Sequence, residues 1–172
     1  MLHLTFLMLI LVTVVSFSLD LQLTHVLDPP ASGADSYSLI FVDVYTVVMQ
    51  GWAALSACDT CSDTFAGYST LSSGVWLPYV NGYQLPRGMF LADGETPTFL
   101  SEYPYPTGWD GYCVMDINGT QYLAAKERAD LWSLCPNTTA SGRLDVVYEP
   151  LANNTHYTLA DCASVMLQLE SS

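Results

Sequence analysis

Between Ala66 and Gly111 the chain meets a turn signal every few residues. Ser72-Ser73-Gly74, Asn81-Gly82, Leu85-Pro86-Arg87-Gly88, Asp93-Gly94 and Pro104-Tyr105-Pro106-Thr107-Gly108 punctuate it. Glycine supplies backbone that turns need and proline fixes φ, so each cluster breaks whatever element precedes it. Turn signals roughly every eight to twelve residues leave room for short strands only, the spacing of a sandwich or barrel. Nowhere does an apolar period of 3.6 persist through four turns, and no internal repeat is evident. The expected fold is mainly β: a single-domain antiparallel β-sandwich or barrel.

Individual strands follow from composition. Leu39 to Val48 is rich in β-branched and aromatic residues and is the strongest strand in the chain. Gly51-Trp52-Ala53-Ala54-Leu55 reads either as its continuation or as one helical turn. Tyr112 to Met115, the Asp116-Ile117-Asn118-Gly119 turn and Gln121 to Ala125 form a hairpin pattern. Leu19 to Thr24, Val75 to Leu77, Met89 to Leu91, Leu131 to Cys135, Leu144 to Tyr148 and Ala163 to Leu169 are further strand candidates. Asp28-Pro29-Pro30-Ala31-Ser32-Gly33 reads as a turn or short linker.

The N-terminal segment is different. Leu4 to Val15 is apolar apart from two threonines, and Ser16-Phe17-Ser18 follows. Such a run is short for a membrane span but suits a secretory signal, although no Lys or Arg precedes it. Residues 1–18 are therefore expected to be a signal peptide, and residues 19–172 a single secreted β domain with no membrane insertion after cleavage. Four basic residues stand against seventeen acidic ones, a formal charge of −13. That field disfavours nucleic acid and anionic membrane surfaces as partners. The acids are scattered singly, as on a solvated surface, and no metal site or cofactor is expected.

Five cysteines fall in the same region: Cys58, Cys61, Cys113, Cys135 and Cys162. In an oxidising compartment two bridges and one leftover thiol are expected. The preferred bridge joins Cys135 to Cys162, each beside a candidate strand, with a stabilisation on the order of 3 kcal/mol. Cys113 then pairs with Cys58 or Cys61. Cys58-Asp59-Thr60-Cys61 has redox spacing, but loop-forming residues follow it and Asp59 raises rather than lowers a neighbouring thiol pKa. Asn118-Gly119-Thr120, Asn137-Thr138-Thr139 and Asn153-Asn154-Thr155 are N-glycosylation signals at Asn118, Asn137 and Asn153, each in a turn-like context.

No hydrolase motif is present: there is no G-x-S-x-G, no H-E-x-x-H and no P-loop. Two histidines, His25 and His156, lie beyond the signal segment and restrict imidazole-based schemes. Glycoside hydrolysis needs only two carboxylates at the right separation. Glu95, Glu102 and Asp110 lie among Phe99, Tyr103, Tyr105 and Trp109, so a small acidic glycosidase is one alternative. Another is a carbohydrate-binding protein in which Tyr103, Tyr105 and Trp109 stack on sugar rings. Trp109, set between glycine-rich neighbours, is expected to be exposed. Trp132 is expected to be buried against a disulfide at Cys135.

Three segments together resemble a family. The D-x-x-G turn at Asp116 to Gly119, the Trp132-Ser133-Leu134-Cys135-Pro136 segment and the late Asp161-Cys162 before the last apolar strand are similar to the PhiA-like fungal secreted cell-wall proteins. The resemblance covers the C-terminal half, and the Cys58/Cys61 pair and Pro/Tyr-rich middle depart from it. It implies no catalytic residues. It implies a non-enzymatic secreted or cell-wall-associated fungal glycoprotein with a structural or surface role. Its partners would be cell-wall polysaccharide or host surface components.

Overall fold

The computed structural model describes residues 19–27, 39–58, 61, 64–66, 68–79 and 86–171. The expected signal segment, the Asp28–Gly33 turn and Asn81-Gly82 lie outside the described residues. Among the described residues, thirteen strands form an antiparallel, sandwich-like fold. They are β1 (Leu19–Leu27), β2 (Ile40–Val47), β3 (Gln50–Ala57), β4 (Thr64–Ala66), β5 (Tyr68–Ser72), β6 (Val75–Pro78) and β7 (Arg87–Gly88). The rest are β8 (Thr98–Glu102), β9 (Tyr112–Ile117), β10 (Thr120–Ala125), β11 (Trp132–Pro136), β12 (Leu144–Tyr148) and β13 (Ala163–Ser171). One turn of 3-10 helix, Leu159–Asp161, precedes β13.

The strands run in the order β4-β2-β3-β12-β11-β13-β1-β5-β6, with β7–β8 attached to β3 and β9–β10 attached to β13. Strand β13 belongs to both layers. Its Ala163, Ser164 and Val165 pair with β11, whereas Met166 onward pairs with β1 on one edge and with Tyr122 and Leu123 of β10 on the other. Val165, Leu167 and Leu169 alternate inward along it. The first layer is thus β4, β2, β3, β12, β11 and β8–β7; the second is β10–β9, β1, β5 and β6.

Gly51 to Leu55 is strand, not a helical turn. It belongs to β3, which folds back on β2 with Val47 opposite Gln50 and Met49 in the left-handed region (φ 68°). The β9–β10 hairpin has the expected turn: Asn118 and Gly119 both take positive φ, and the Gly119 N–H donates to Asp116 Oδ1 at 2.8 Å. Met89 to Leu91 is not a strand; pairing stops at Gly88. Sequence reasoning missed β8, where Phe99 and Leu100 are both buried in a stretch that otherwise reads as a surface loop.

Aromatic rings fill much of the space between the layers, in a chain that runs out to the exposed Phe90. Phe41, Phe99, Trp76, Tyr112, Trp109 and Phe90 form a chain of edge-to-face contacts with centroids 4.9–5.6 Å apart. Trp132 and Tyr148 stand at 5.0 Å and reach across to β10, the indole donating to Leu123 O and the phenol to Ala125 O, both at 3.0 Å. Trp132 does not pack on the disulfide. Residues three apart on a strand point to opposite faces, so Trp132 enters the main core while Cys135 joins Val147 and Tyr157 on the outer face.

Candidate functional site

The outer face of the first layer carries a cleft of about 460 Å³. Alternation along the strands selects its lining. Ala53, Leu55 and Ala57 of β3 face the core, leaving Ala54 and Ser56 outward; likewise Phe99 faces inward and Thr98 outward. Three loops wall the cleft: the segment before β8, the β11–β12 connection and the loop after β12. Gly94 N donates to Tyr148 O at 2.7 Å and Tyr148 N to Glu95 O at 3.0 Å, which anchors the segment before β8 to the end of β12. The loop after β12 folds over it, where the Tyr157 hydroxyl donates to Gly94 O (3.1 Å) and accepts from Leu151 N (2.9 Å). Asn154 Nδ2 also donates to Gly94 O at 3.1 Å.

Asp145 occupies the floor at 7 % exposure. A buried carboxylate needs donors on both oxygens, and the neighbouring strands provide them. Ser56, its register partner on β3, donates to Oδ1 at 2.7 Å. Asn137 Nδ2 (2.5 Å) and Arg143 Nη2 (3.0 Å) donate to Oδ2. Arg143 Nε lies 2.7 Å from Oδ1 but off the line of its N–H, so it adds charge attraction rather than an aligned bond. Asn137 Oδ1 accepts from the backbone of Thr139 and Ala140 and from the Thr139 hydroxyl, at 2.7–2.9 Å. Three hydrogen bonds and an ion pair thus hold the acid within its own chain, one bond on Oδ1 and two on Oδ2.

Sequence reasoning passed over Ser56, Arg143 and Asp145. The available signal was a charge inside Leu144 to Tyr148, a segment otherwise apolar enough to be buried on both faces.

The other expected sites are placed as follows. Tyr103 is 73 % exposed and meets Tyr105 edge-on at 6.0 Å. Trp109 is not in that ring pair and is half-buried; its rings contact Phe90 and Tyr112, and it packs against the core. Gly111 makes this possible, since a Cβ there would stand 1.9 Å from Trp109 Cζ2. Glu95 is exposed at the cleft and accepts from Ala92 N at 3.2 Å. Glu102 lies at the far end of β8 and accepts from Gln50 Nε2 at 2.7 Å, so the two carboxylates are held apart by different partners. Asn118 and Asn153 are exposed, whereas Asn137 is half-buried with its amide in the Asp145 network.

Two disulfides are formed: Cys135–Cys162 and Cys58–Cys61. The second corrects the expected pairing of Cys113 with Cys58 or Cys61. Cys58 ends just beyond β3 and its nearest partner is three residues on, at a Cα separation of 5.7 Å. Cys113 lies on β9, opposite Ala124, and is a free thiol. Burial raises its pKa; the charge of Glu127 adds to this and a hydrogen bond with the Glu127 backbone opposes it. Among the described residues no group of three or more His, Cys, Asp or Glu side chains could hold a metal ion.

These features define a class, a disulfide-stabilised antiparallel β-sandwich-like domain with a polar cleft on one outer face. No protein-family model, no curated protein and no solved structure matches the chain.

Proposed function

We propose that this chain is a secreted, non-enzymatic surface glycoprotein, associated with a cell wall in the manner of the PhiA-like fungal proteins. The observation that carries the reading is the engagement of both Asp145 oxygens by Ser56, Asn137 and Arg143. The best-buried acid of the cleft is a strut between strands rather than an acid or base. Two disulfides, the apolar run from Leu4 to Val15 and the exposed Asn118 and Asn153 support an oxidising, extracellular setting. The decisive experiment expresses the full chain in a filamentous fungus and fractionates wall, medium and cytosol. Wall or medium protein beginning at Leu19, with glycan at Asn118 and Asn153, is expected. Cytosolic protein with reduced cysteines would end the proposal.

A second reading has its own support in the exposed Tyr103–Tyr105 pair, which offers faces to neutral polysaccharide. Retention on insoluble chitin or β-glucan, lost in Tyr103→Ala, is the expected result. An unretained wild-type protein sinks this reading.

A further inference from the structure

Of the three sequon asparagines, Asn137 lines the cleft, whereas Asn118 and Asn153 lie outside it. Its amide plane is fixed from the oxygen side, where Oδ1 accepts from Thr139 N, the Thr139 hydroxyl and Ala140 N at 2.7–2.9 Å. Nδ2 carries two hydrogens and makes one hydrogen bond among the described residues, to Asp145 Oδ2 at 2.5 Å. An N-linked sugar replaces one amide hydrogen and leaves the other. A glycan on Asn137 and the bond to Asp145 are therefore compatible in hydrogen count.

The space beside that amide suits a sugar. The cleft volume of about 460 Å³ falls in the range of small-molecule sites, roughly 300–1,000 Å³. Val44 and Ala54 offer apolar surface to the C–H face of a pyranose, and Thr96 and Thr98 line the cleft with hydroxyls. Its guanidinium, Arg143, is already paired with Asp145, which favours a neutral, hydroxyl-rich occupant over an anion. A second glycosylation signal stands at the rim. Thr138 N donates to His156 O at 2.8 Å and the Thr138 hydroxyl to Thr155 O at 3.1 Å, which sets Asn137-Thr138-Thr139 against Asn153-Asn154-Thr155.

We propose that the cleft is the seat of the protein's own Asn137-linked glycan, with the first N-acetylhexosamine held between the segment before β8 and the loop after β12. This seat presupposes the secreted reading above. In the secretory compartment the oligosaccharide passes from a lipid-linked diphosphate donor to the still unfolded chain. The Nδ2–C1 bond forms, the C1–O bond to the diphosphate breaks, and one Nδ2 proton leaves. Folding then closes the cleft walls around the sugar. The covalent tether keeps the sugar at high effective concentration there, so weak contacts suffice to hold it. Asn118 is the contrasting site: it is exposed at a hairpin turn beside Gly119, which has open space around it, and its glycan extends into solvent.

Site-by-site mass spectrometry of the full chain expressed in a filamentous fungus, with native digestion by peptide-N-glycosidase, tests this. Asn137 is expected to carry sugar and to release it about tenfold more slowly than Asn118, because the enzyme reaches a seated sugar only after local opening. Thr98→Tyr fills the cleft floor and is expected to bring release at Asn137 up to the rate at Asn118, with Asn118 itself unchanged. A bare Asn137 beside a glycosylated Asn118 overturns the proposal and leaves secretion standing. Three bare asparagines on cytosolic protein end the secreted reading and the seat together. Equal release from Asn137 and Asn118 in the wild type overturns the seat alone and leaves the cleft open to an external ligand. Slow release that persists in Thr98→Tyr also overturns it, since the protection then has a source other than the cleft.

Discussion

Two stretches on the first layer contradict the rule that polar groups lie outside and apolar groups inside, in opposite senses. At Asp145 a charged residue is buried; at the β2–β3 tip large apolar residues are exposed. The difference lies in what covers each. The outer face of β11 and β12 lies under the loop after β12, pinned through Tyr157, Asn154 and the Cys135–Cys162 bridge. No strand among the described residues lies on the outer edge of the hairpin tip. A covered sheet face can bury a charge only if it also pairs it, whereas a hairpin tip that projects from the sheet leaves its apolar side chains exposed.

The comparison breaks most visibly at Asp145. Asp145→Ala leaves the Arg143 guanidinium half of a buried pair unanswered, with an expected loss of about 3–5 kcal/mol by chemical denaturation. The double change Asp145→Leu with Arg143→Met is expected to cost less than Asp145→Ala alone, since no buried charge then remains. Equal or larger loss in the double variant would mean that the ion pair itself, and not the orphaned charge, sets the energy.

The Cys135–Cys162 bridge staples the covering loop to β11. Serine at both Cys135 and Cys162 is expected to cost about 3 kcal/mol, and serine at both Cys58 and Cys61 less, about 2 kcal/mol, because the loop it closes is far shorter. Calorimetry of the two variants side by side gives the order, and the reverse order would show that the covering loop needs no staple. Gly111→Ala is expected to cost about 1–3 kcal/mol by forcing the Trp109 ring off its seat, read as a change in tryptophan fluorescence alongside the lowered melting point.

Alkali probes the main core. Burial raises the Tyr112 phenol well above its ordinary range, and its hydroxyl has no hydrogen-bond partner among the described residues. A phenol that ionises more easily unfolded than folded contributes nothing at neutral pH and drains stability once pH rises through about 10. Denaturation midpoints are expected to fall between pH 9.5 and 11.5, and to fall less in Tyr112→Phe. At the other extreme, Val48→Ser removes an exposed side chain and is expected to change stability by no more than about 0.5 kcal/mol. A larger loss at low protein concentration would place Val48 under unseen cover.

Legibility followed the range of the interactions. The hairpin at Asp116 to Gly119 was readable because its hydrogen bond and its two positive-φ residues are four neighbours in sequence. Leu144 to Tyr148 was readable as a strand, but Asp145 was not readable as a strut: Ser56 lies 89 residues away. Trp132 was readable as buried and misplaced in its packing, which the strand's two-residue period corrects. Cys113 was assigned a partner because cysteine counting ignores direction, and only strand placement separates β9 from the end of β3. The cleft itself had no local trace, being assembled from the outward residues of β3, β8, β11 and β12 and three loops.

By itself, then, the amino-acid order determined that this chain folds as short antiparallel strands, through turn chemistry and β-branched composition that act within a few residues. Which face of each strand is covered was decided only in the tertiary structure. Burial on a sheet depends on what another part of the chain lays over it. That is why one aspartate is enclosed and networked while a hairpin of valines and a tyrosine stands in solvent.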